Sequence, residues 1–389
     1  MDSHAISFLT FLHIAQNDSW KIPLPSKKWE YTSWVLTFSL MDIQKLLGKE
    51  AESLLGDFTP KIAKNSLILP SSSFIDESFW LSDRSEQVIW NLRKLYGHGR
   101  LANTGYLSIL PVDQGIEHSA NASFTKNPLY FDPANIFRLA IEAECNAVAT
   151  TFGSFAIVEK MFAGKIPVIV KINHNELMSF PQIPRQTMFG SVQGAYNMGA
   201  TAIGATVYFG SDTSREELVE VSQAFEEAHK LGMVTVLWCY VRNNAFKKDG
   251  VNYETATDLT SQAVHLGVTI QADIIKQKLP DCNNGFRELG IGKEDPDSYE
   301  KHIGEHPIDM CRYQVMNCYA GRIGLINSGG ASVGDDDLAQ AVRTAVINKR
   351  AGGQGLIVGR KAFQKPMKEW IELIQAIQDV YLDRSISIV

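Results

Sequence analysis

From Leu107 onward the chain alternates short apolar runs with amphipathic stretches, and it does so eight times. The runs cover residues 107–113, 146–152, 167–174, 200–209, 235–241, 271–279, 321–330 and 355–362. Most are rich in Ile, Val and Thr, the composition of strands covered on both faces of a parallel sheet. Helical patterns occupy 135–144, 155–163, 186–198, 214–231, 253–265, 307–318, 335–349 and 366–381. Asp212-Thr-Ser-Arg-Glu-Glu and Asp335-Asp-Asp read as helix N-caps followed by acidic first turns. Eight βα units in this span predict an α/β fold, a (β/α)8 TIM barrel over 101–389. A doubly wound sheet uses the same units. However, no G-x-G-x-x-G follows the first run, and eight consecutive units favour closure.

Two stretches depart from the repeat. Residues 41–100 carry helical spacing (Ile43, Leu46, Leu47, then Ala51, Leu54, Leu55) and are expected to pack on the barrel as an N-terminal helical segment. About forty residues separate Leu279 from Gly321, and only the last third reads as helix. That is too long for a plain loop, so it is either a lid or an insertion with structure of its own. It leaves from the face where barrel active sites lie. Residues 1–40 are either an extension or an upstream start, and the sequence admits both.

The formal charge of −6 gives no basic excess for nucleic acid or an anionic membrane, so an anionic substrate needs local cations. No apolar run is long enough to span a bilayer. Five cysteines, an odd number without C-x-x-C spacing, suggest a reducing compartment, and the chain is expected in the cytoplasm. The nine histidines show no ligand spacing, and no metal or cofactor is assigned. His118 and His174 can approach each other at the barrel mouth.

Catalytic groups of such barrels sit at the C-terminal ends of strands. The first run ends in Asp113, which either caps a loop or has a task. The third carries Lys171 among apolar neighbours, where a structural ion pair with Asp113 is the competing reading. In the fifth, Trp238, Tyr240 and Arg242 share one face, as substrate contacts or as core filling. In the sixth, Ala272, Ile274 and Lys276 share a face, which turns Lys276 inward near the end. A desolvated lysine is more easily a free amine, the form that attacks a ketone. A solvated or ion-paired lysine is the alternative, and Lys278 competes from further out. Asn327-Ser328-Gly329-Gly330 and Gly359-Arg360 close the last two runs, where barrels often bind phosphate through backbone N–H groups and a forked arginine.

The set Leu-Pro-Val-Asp113-Gln114-Gly-Ile-Glu-His, Val-Leu-Trp238-Cys-Tyr240, Ala-Asp-Ile-Ile-Lys276 and Ile-Asn-Ser328-Gly-Gly resembles the archaeal-type class I fructose-bisphosphate aldolases, in their longer bacterial branch. The resemblance covers about 41–389. It implies a barrel that reversibly cleaves fructose 1,6-bisphosphate to dihydroxyacetone phosphate and glyceraldehyde 3-phosphate, without a cofactor, in a homo-oligomer. It also implies Lys276 as Schiff-base lysine and Tyr240 as proton donor, with Asp113 steadying hydroxyls or the cationic intermediate. Gln114, Lys171 and Trp238 would line the substrate, and Ser328, Gly329, Gly330, Gly359 and Arg360 would cradle one phosphate. Gln114 stands where archaeal relatives often have histidine. For the second phosphate, Arg242, Lys247 and Lys248 are open. The competing functions are a transaldolase-like or acyl-transfer enzyme on another phosphorylated keto compound, a zinc-dependent aldolase, or a phosphosugar-binding protein without turnover.

Overall fold

A computed structural model describes residues 39–113, 118–180, 183–330, 334, 336–361 and 365–389. Eight parallel strands close into a barrel in chain order: β1 Leu107–Val112, β2 Ala147–Thr151, β3 Val168–Lys171, β4 Ala202–Phe209, β5 Val234–Val241, β6 Ile274–Gln277, β7 Gly324–Ser328 and β8 Gly355–Ile357. All eight were legible as runs, and each is shorter than its run or matches it closely. Closure is made by β8 on β1, with Leu107 opposite Gly355 and Ile109 opposite Ile357. Helices fill the connections. In Ser214–Lys230 the buried Val221, Phe225 and Ala228 form one stripe against the sheet. Met367–Leu382 turns Trp370, Leu373, Ile374 and Ile377 inward in the same way.

The barrel interior has two parts. Towards the strands' N-terminal ends it is dry, filled by Ile109, Ile169, Val236, Ile274 and Ile326. This end is stoppered by the N-terminal helices Phe74–Phe79 and Glu86–Tyr96, whose Phe74, Val88, Leu92 and Leu95 join the same apolar cluster. The expected helical segment therefore exists and plugs the base. An ionic staple holds it: Arg84 Nε donates to Asp273 at 2.6 Å. The same carboxylate receives the Thr235 N–H at 2.9 Å and meets His229 Nε2 at 3.0 Å.

Three expectations need correction. Residues 186–198 are not one helix. Gln186–Met188 pairs antiparallel with Asn173–Asn175, and the helix is only Val192–Asn197, capped by Ser191. The third run thus splits: its barrel strand stops at Lys171, and the rest forms this ribbon. The acidic first turns are present, Glu216 and Glu217 in one helix and Asp337 in the other, but the side-chain caps are not seen, and Asp335 lies outside the described residues. Thr213 and Asp336 stand at the N-cap positions without a capping bond. Glu217 instead turns inward to accept the Gln186 and Tyr208 N–H groups. Asp337 binds Lys361 Nζ at 3.0 Å. A buried charge or donor outcompetes a solvated cap because leaving it unpaired costs more.

The connection after β6 is an insertion tied to its surroundings. It contains the helix Gly285–Leu289, a π turn at Ser298–His302 and the helix Pro307–Asn317. Buried Asp258 accepts the Gly285 and Phe286 N–H groups and the Tyr299 hydroxyl. Lys61 Nζ donates to the Tyr299, Glu300 and Ile303 carbonyls. Of residues 1–40, read as an extension or an upstream start, 1–38 lie outside the described residues, and Ser39 caps the helix Leu40–Leu47.

Asp273→Ala removes the buried carboxylate that Arg84, His229 and the Thr235 N–H share, leaving Arg84 only the exposed Asp83 and the Gln271 carbonyl, and about 3–5 kcal/mol of stability should be lost, read from the urea midpoint. Burial pushes the Asp273 carboxyl up, but His229 and Arg84 outweigh it and hold it below its ordinary 3.8. The carboxylate's contribution is therefore present above pH 3.8 and is lost as pH falls through the lower folded value. The urea midpoint of Asp273→Ala should lose this acid limb.

Candidate active site

A cavity of about 550 Å³ opens at the C-terminal ends of the strands. Alternation along each strand decides what reaches it. On β5 Trp238 and Tyr240 turn inward with Arg242 just beyond; on β6 Lys276 does, followed by Lys278. Asp113 follows β1, and Tyr208 comes from β4. Ser328 ends β7 with Gly329 and Gly330 just after it, and Gly359 and Arg360 follow β8. His118 also lines the cavity. His174 does not; it stacks on Phe189 in the ribbon at 5.5 Å.

Lys276 is 8% exposed, and its Nζ lies 5.2 Å from the Trp238 ring centre and 5.4 Å from that of Tyr240. Lys278 Nζ stands 5.8 Å from the Tyr240 ring, so two lysine side chains approach this phenol. Burial, then Arg242, pushes the Lys278 ammonium down to about 8, with Arg360 and Lys276 adding to it and Glu254 opposing. Lys171 is 1% exposed and sits beneath the cavity floor. Its Nζ donates to Thr206 Oγ1 at 2.6 Å, lies 4.0 Å from Asp113 Oδ2, and is 4.4 Å from the Trp238 ring. The ion pair anticipated between Lys171 and Asp113 is thus present at long range, inside the site.

The loops after β7 and β8 are shaped as much as they are charged. The Gly329 N–H donates to Ile357 O at 3.1 Å, so it serves the sheet rather than an anion. A Cβ on Gly329 would meet Val358 at 2.8 Å. Gly330 has φ +78°, a conformation that favours glycine. Behind Arg360, the buried Lys361 Nζ binds Asp337 at 3.0 Å and Gln340 at 2.8 Å. That pair ties the loop after β8 to the helix Asp337–Ala351.

A family model described as DeoC/LacD family aldolase matches residues 107–365. A probable fructose-bisphosphate aldolase class 1 from Chlamydia pneumoniae is 57% identical over 349 residues, spanning 90% of this chain and 100% of that one. The chain belongs to the DeoC/LacD aldolases, among the class 1 fructose-bisphosphate aldolases. A class 1 fructose-bisphosphate aldolase from Halobacterium salinarum is 28% identical over 265 residues, 68% of this chain and 87% of its own. A solved archaeal fructose-1,6-bisphosphate aldolase has its catalytic lysine covalently bound to the carbinolamine intermediate of the substrate. It matches with a TM-score of 0.58 and 26% identity, covering 75% of this chain and 99% of that one.

For this aldolase-family member, the candidates Asp113, Trp238, Tyr240, Lys276, Ser328, Gly329, Gly330, Gly359 and Arg360 all line one cavity. Lys171 adjoins it from below, and Gln114 lies outside the described residues. Lys247 and Lys248 sit exposed on a hairpin, where Lys248 Nζ donates to Glu288 O at 2.8 Å. Among the described residues, no group of three His, Cys, Asp or Glu side chains is placed to hold a metal ion.

Sequence reasoning passed over β4. Gly204, Thr206 and Tyr208 alternate inward there, and period-two reading of that run contains the signal. A Cβ on Gly204 would meet Trp238 Cζ3 at 2.7 Å and Lys171 Cδ at 3.1 Å. Gly204→Ala should therefore tilt both side chains. Overpacking costs about 1–3 kcal/mol, and the displaced site should lower kcat/KM on the order of tenfold or more, checked by steady-state assay beside a melting curve.

Proposed function

We propose that this cavity cleaves fructose 1,6-bisphosphate through a Schiff base on Lys276. The observation that carries the reading is the placement of Lys276, inside the cavity at the end of β6 and flanked by the Trp238 and Tyr240 rings. Lys171 is committed to Thr206 and sits below the floor, and Lys278 stands nearer the rim. Lys276 Nζ adds to the C2 carbonyl, giving a carbinolamine. Tyr240 protonates the leaving hydroxyl, and water departs to leave an iminium. The Tyr240 phenolate then takes the C4 hydroxyl proton as C3–C4 breaks. The bonding pair moves into the iminium as an enamine, and glyceraldehyde 3-phosphate leaves. Protonation at C3 by Tyr240 and hydrolysis release dihydroxyacetone phosphate and the free amine. Asp113 lies within reach of the hydroxyls and of the cationic intermediate, with Lys171 holding its carboxylate by charge.

Ser328, Gly330, Gly359 and Arg360 hold the phosphate on C1, which fixes C2 over Lys276. Arg242 and Lys278, on the other flank of Tyr240, hold the phosphate on C6. All five cysteines are free, which supports a reducing compartment such as the cytoplasm. No helix among the described residues is long and apolar enough to cross a membrane. Self-association belongs to the same reading, supported by the exposed Trp80 and Trp90 near the stoppered base.

Two experiments test this. Borohydride reduction with fructose 1,6-bisphosphate should leave a covalent adduct that peptide mapping places on Lys276 and that Lys276→Met abolishes. A folded protein without adduct removes the Schiff base from the reading. Lys278 is charged below about 8 and neutral above it. The kcat/KM for the bisphosphate should therefore fall as pH rises through that value, and Lys278→Met should lose this limb.

A further inference from the structure

Glu254 lines no part of the cavity, yet its carboxylate is spent on one of the cavity's cations. Its Oε2 accepts from Arg242 Nη1 at 3.2 Å, and its Oε1 accepts the Asn243 N–H at 3.2 Å. The side chain is only 9% exposed. It is held in turn by its own loop: Glu254 N donates to Asn252 Oδ1 at 3.0 Å, and Tyr253 N donates to Phe246 O at 2.9 Å. Asn243 Nδ2 closes the arrangement on Gly210 O at 2.7 Å, after β4. The guanidinium lies 5.6 Å from the Tyr208 ring and 5.5 Å from the Tyr240 ring. Among the described residues, its hydrogen bonds to Val241 O and Glu254 both use Nη1, which leaves Nη2 and Nε for a ligand.

The surroundings would otherwise push this side chain away. Arg242 shares the mouth with Lys276, Lys278 and Arg360, three more cationic side chains. A long, partly exposed side chain with like charges behind it turns towards water unless something fixes it. Glu254 is the carboxylate that fixes it, and it also opposes the other cations at Lys278.

We infer that Glu254 is a positioning residue that sets the preference for a bisphosphate over a monophosphate, by holding Arg242 where the substrate's second phosphate arrives. This rests on the reading of Arg242 and Lys278 as ligands of that phosphate. Glu254 touches no reacting atom; it acts by holding Arg242 through a hydrogen-bonded ion pair, beside a smaller charge effect on Lys278. Glu254→Gln keeps an oxygen for the Asn243 N–H, so the loop retains its main-chain anchor. It removes the charge that orients the guanidinium.

The experiment compares wild type, Glu254→Gln, Arg242→Met and the double variant, each with fructose 1,6-bisphosphate and with fructose 1-phosphate, which lacks the second phosphate. Glu254→Gln should raise KM for the bisphosphate about tenfold at nearly unchanged kcat, while kcat/KM for fructose 1-phosphate stays within about twofold. The double variant should lose little more than Arg242→Met alone, the remainder being the charge effect of Glu254 on Lys278. Glu254→Asp, which keeps the charge, should recover part of the preference. If Arg242→Met erases the preference but Glu254→Gln leaves it, the inference about Glu254 is wrong and the phosphate reading stands. If Arg242→Met leaves the preference intact, the phosphate reading fails and takes this inference with it. An equal loss of kcat on both substrates would mark Glu254 as scaffolding only.

Discussion

Closure of the parallel sheet is the constraint on which the site depends. It is made where β8 meets β1: the Leu107 N–H reaches Gln354 O at 2.7 Å, and the Val358 N–H reaches Ile109 O at 3.1 Å. Once the sheet is closed, every second side chain points to one axis, and residues far apart in sequence must share a narrow volume. Lys171, Trp238 and Lys276 meet for this reason, and Gly204 is the vacancy that lets them. Below them the interior is dry and stoppered by the N-terminal helices. The site therefore opens at one end, and its lysines stand on an apolar floor.

The electrostatics of the mouth run against those of the whole molecule. The chain carries a net charge of −6, yet Lys276, Lys278, Arg242 and Arg360 converge on one cavity. Local potential, not net charge, governs what an anionic substrate meets. Such a cluster repels itself, and two of its members are braced by different parts of the frame. Glu254 holds Arg242, and the buried Lys361–Asp337 pair anchors the loop bearing Arg360. Beneath them, Lys171 is held by Thr206 and, at 4.0 Å, by Asp113.

The segments outside the βα repeat serve the same rigidity. Arg312, fully buried, donates to the carbonyls of Ala351, Ile62 and Arg350. Burial pushes its guanidinium down to about 10. Arg350 in turn donates to Leu54 O at 2.6 Å and Gly56 O at 2.9 Å. Together with Lys61 and Asp258, these contacts bind the N-terminal segment, the insertion and the seventh βα unit into one frame. The long connection after β6 is thereby an insertion with structure of its own, braced at several points.

Local periodicity determined the eight strands, most of the helices between them and the inward face of β5 and β6, and it favoured closure over a doubly wound sheet. It could do so because alternation and helical stripes are written in neighbouring residues. The same reading turned Lys276, Tyr240 and Trp238 inward but left core filling open for the two rings and ion pairing open for the lysine; their roles came from the resemblance to the class I aldolases. Tertiary structure alone decided which charges meet. The ribbon within 173–188, the turning of Glu217 inward, the capture of Asp337 by Lys361 and the grip of Glu254 on Arg242 all pair residues on different elements. Nothing local distinguishes Glu254 from a solvated glutamate, because its role is set by the partner that folding places beside it.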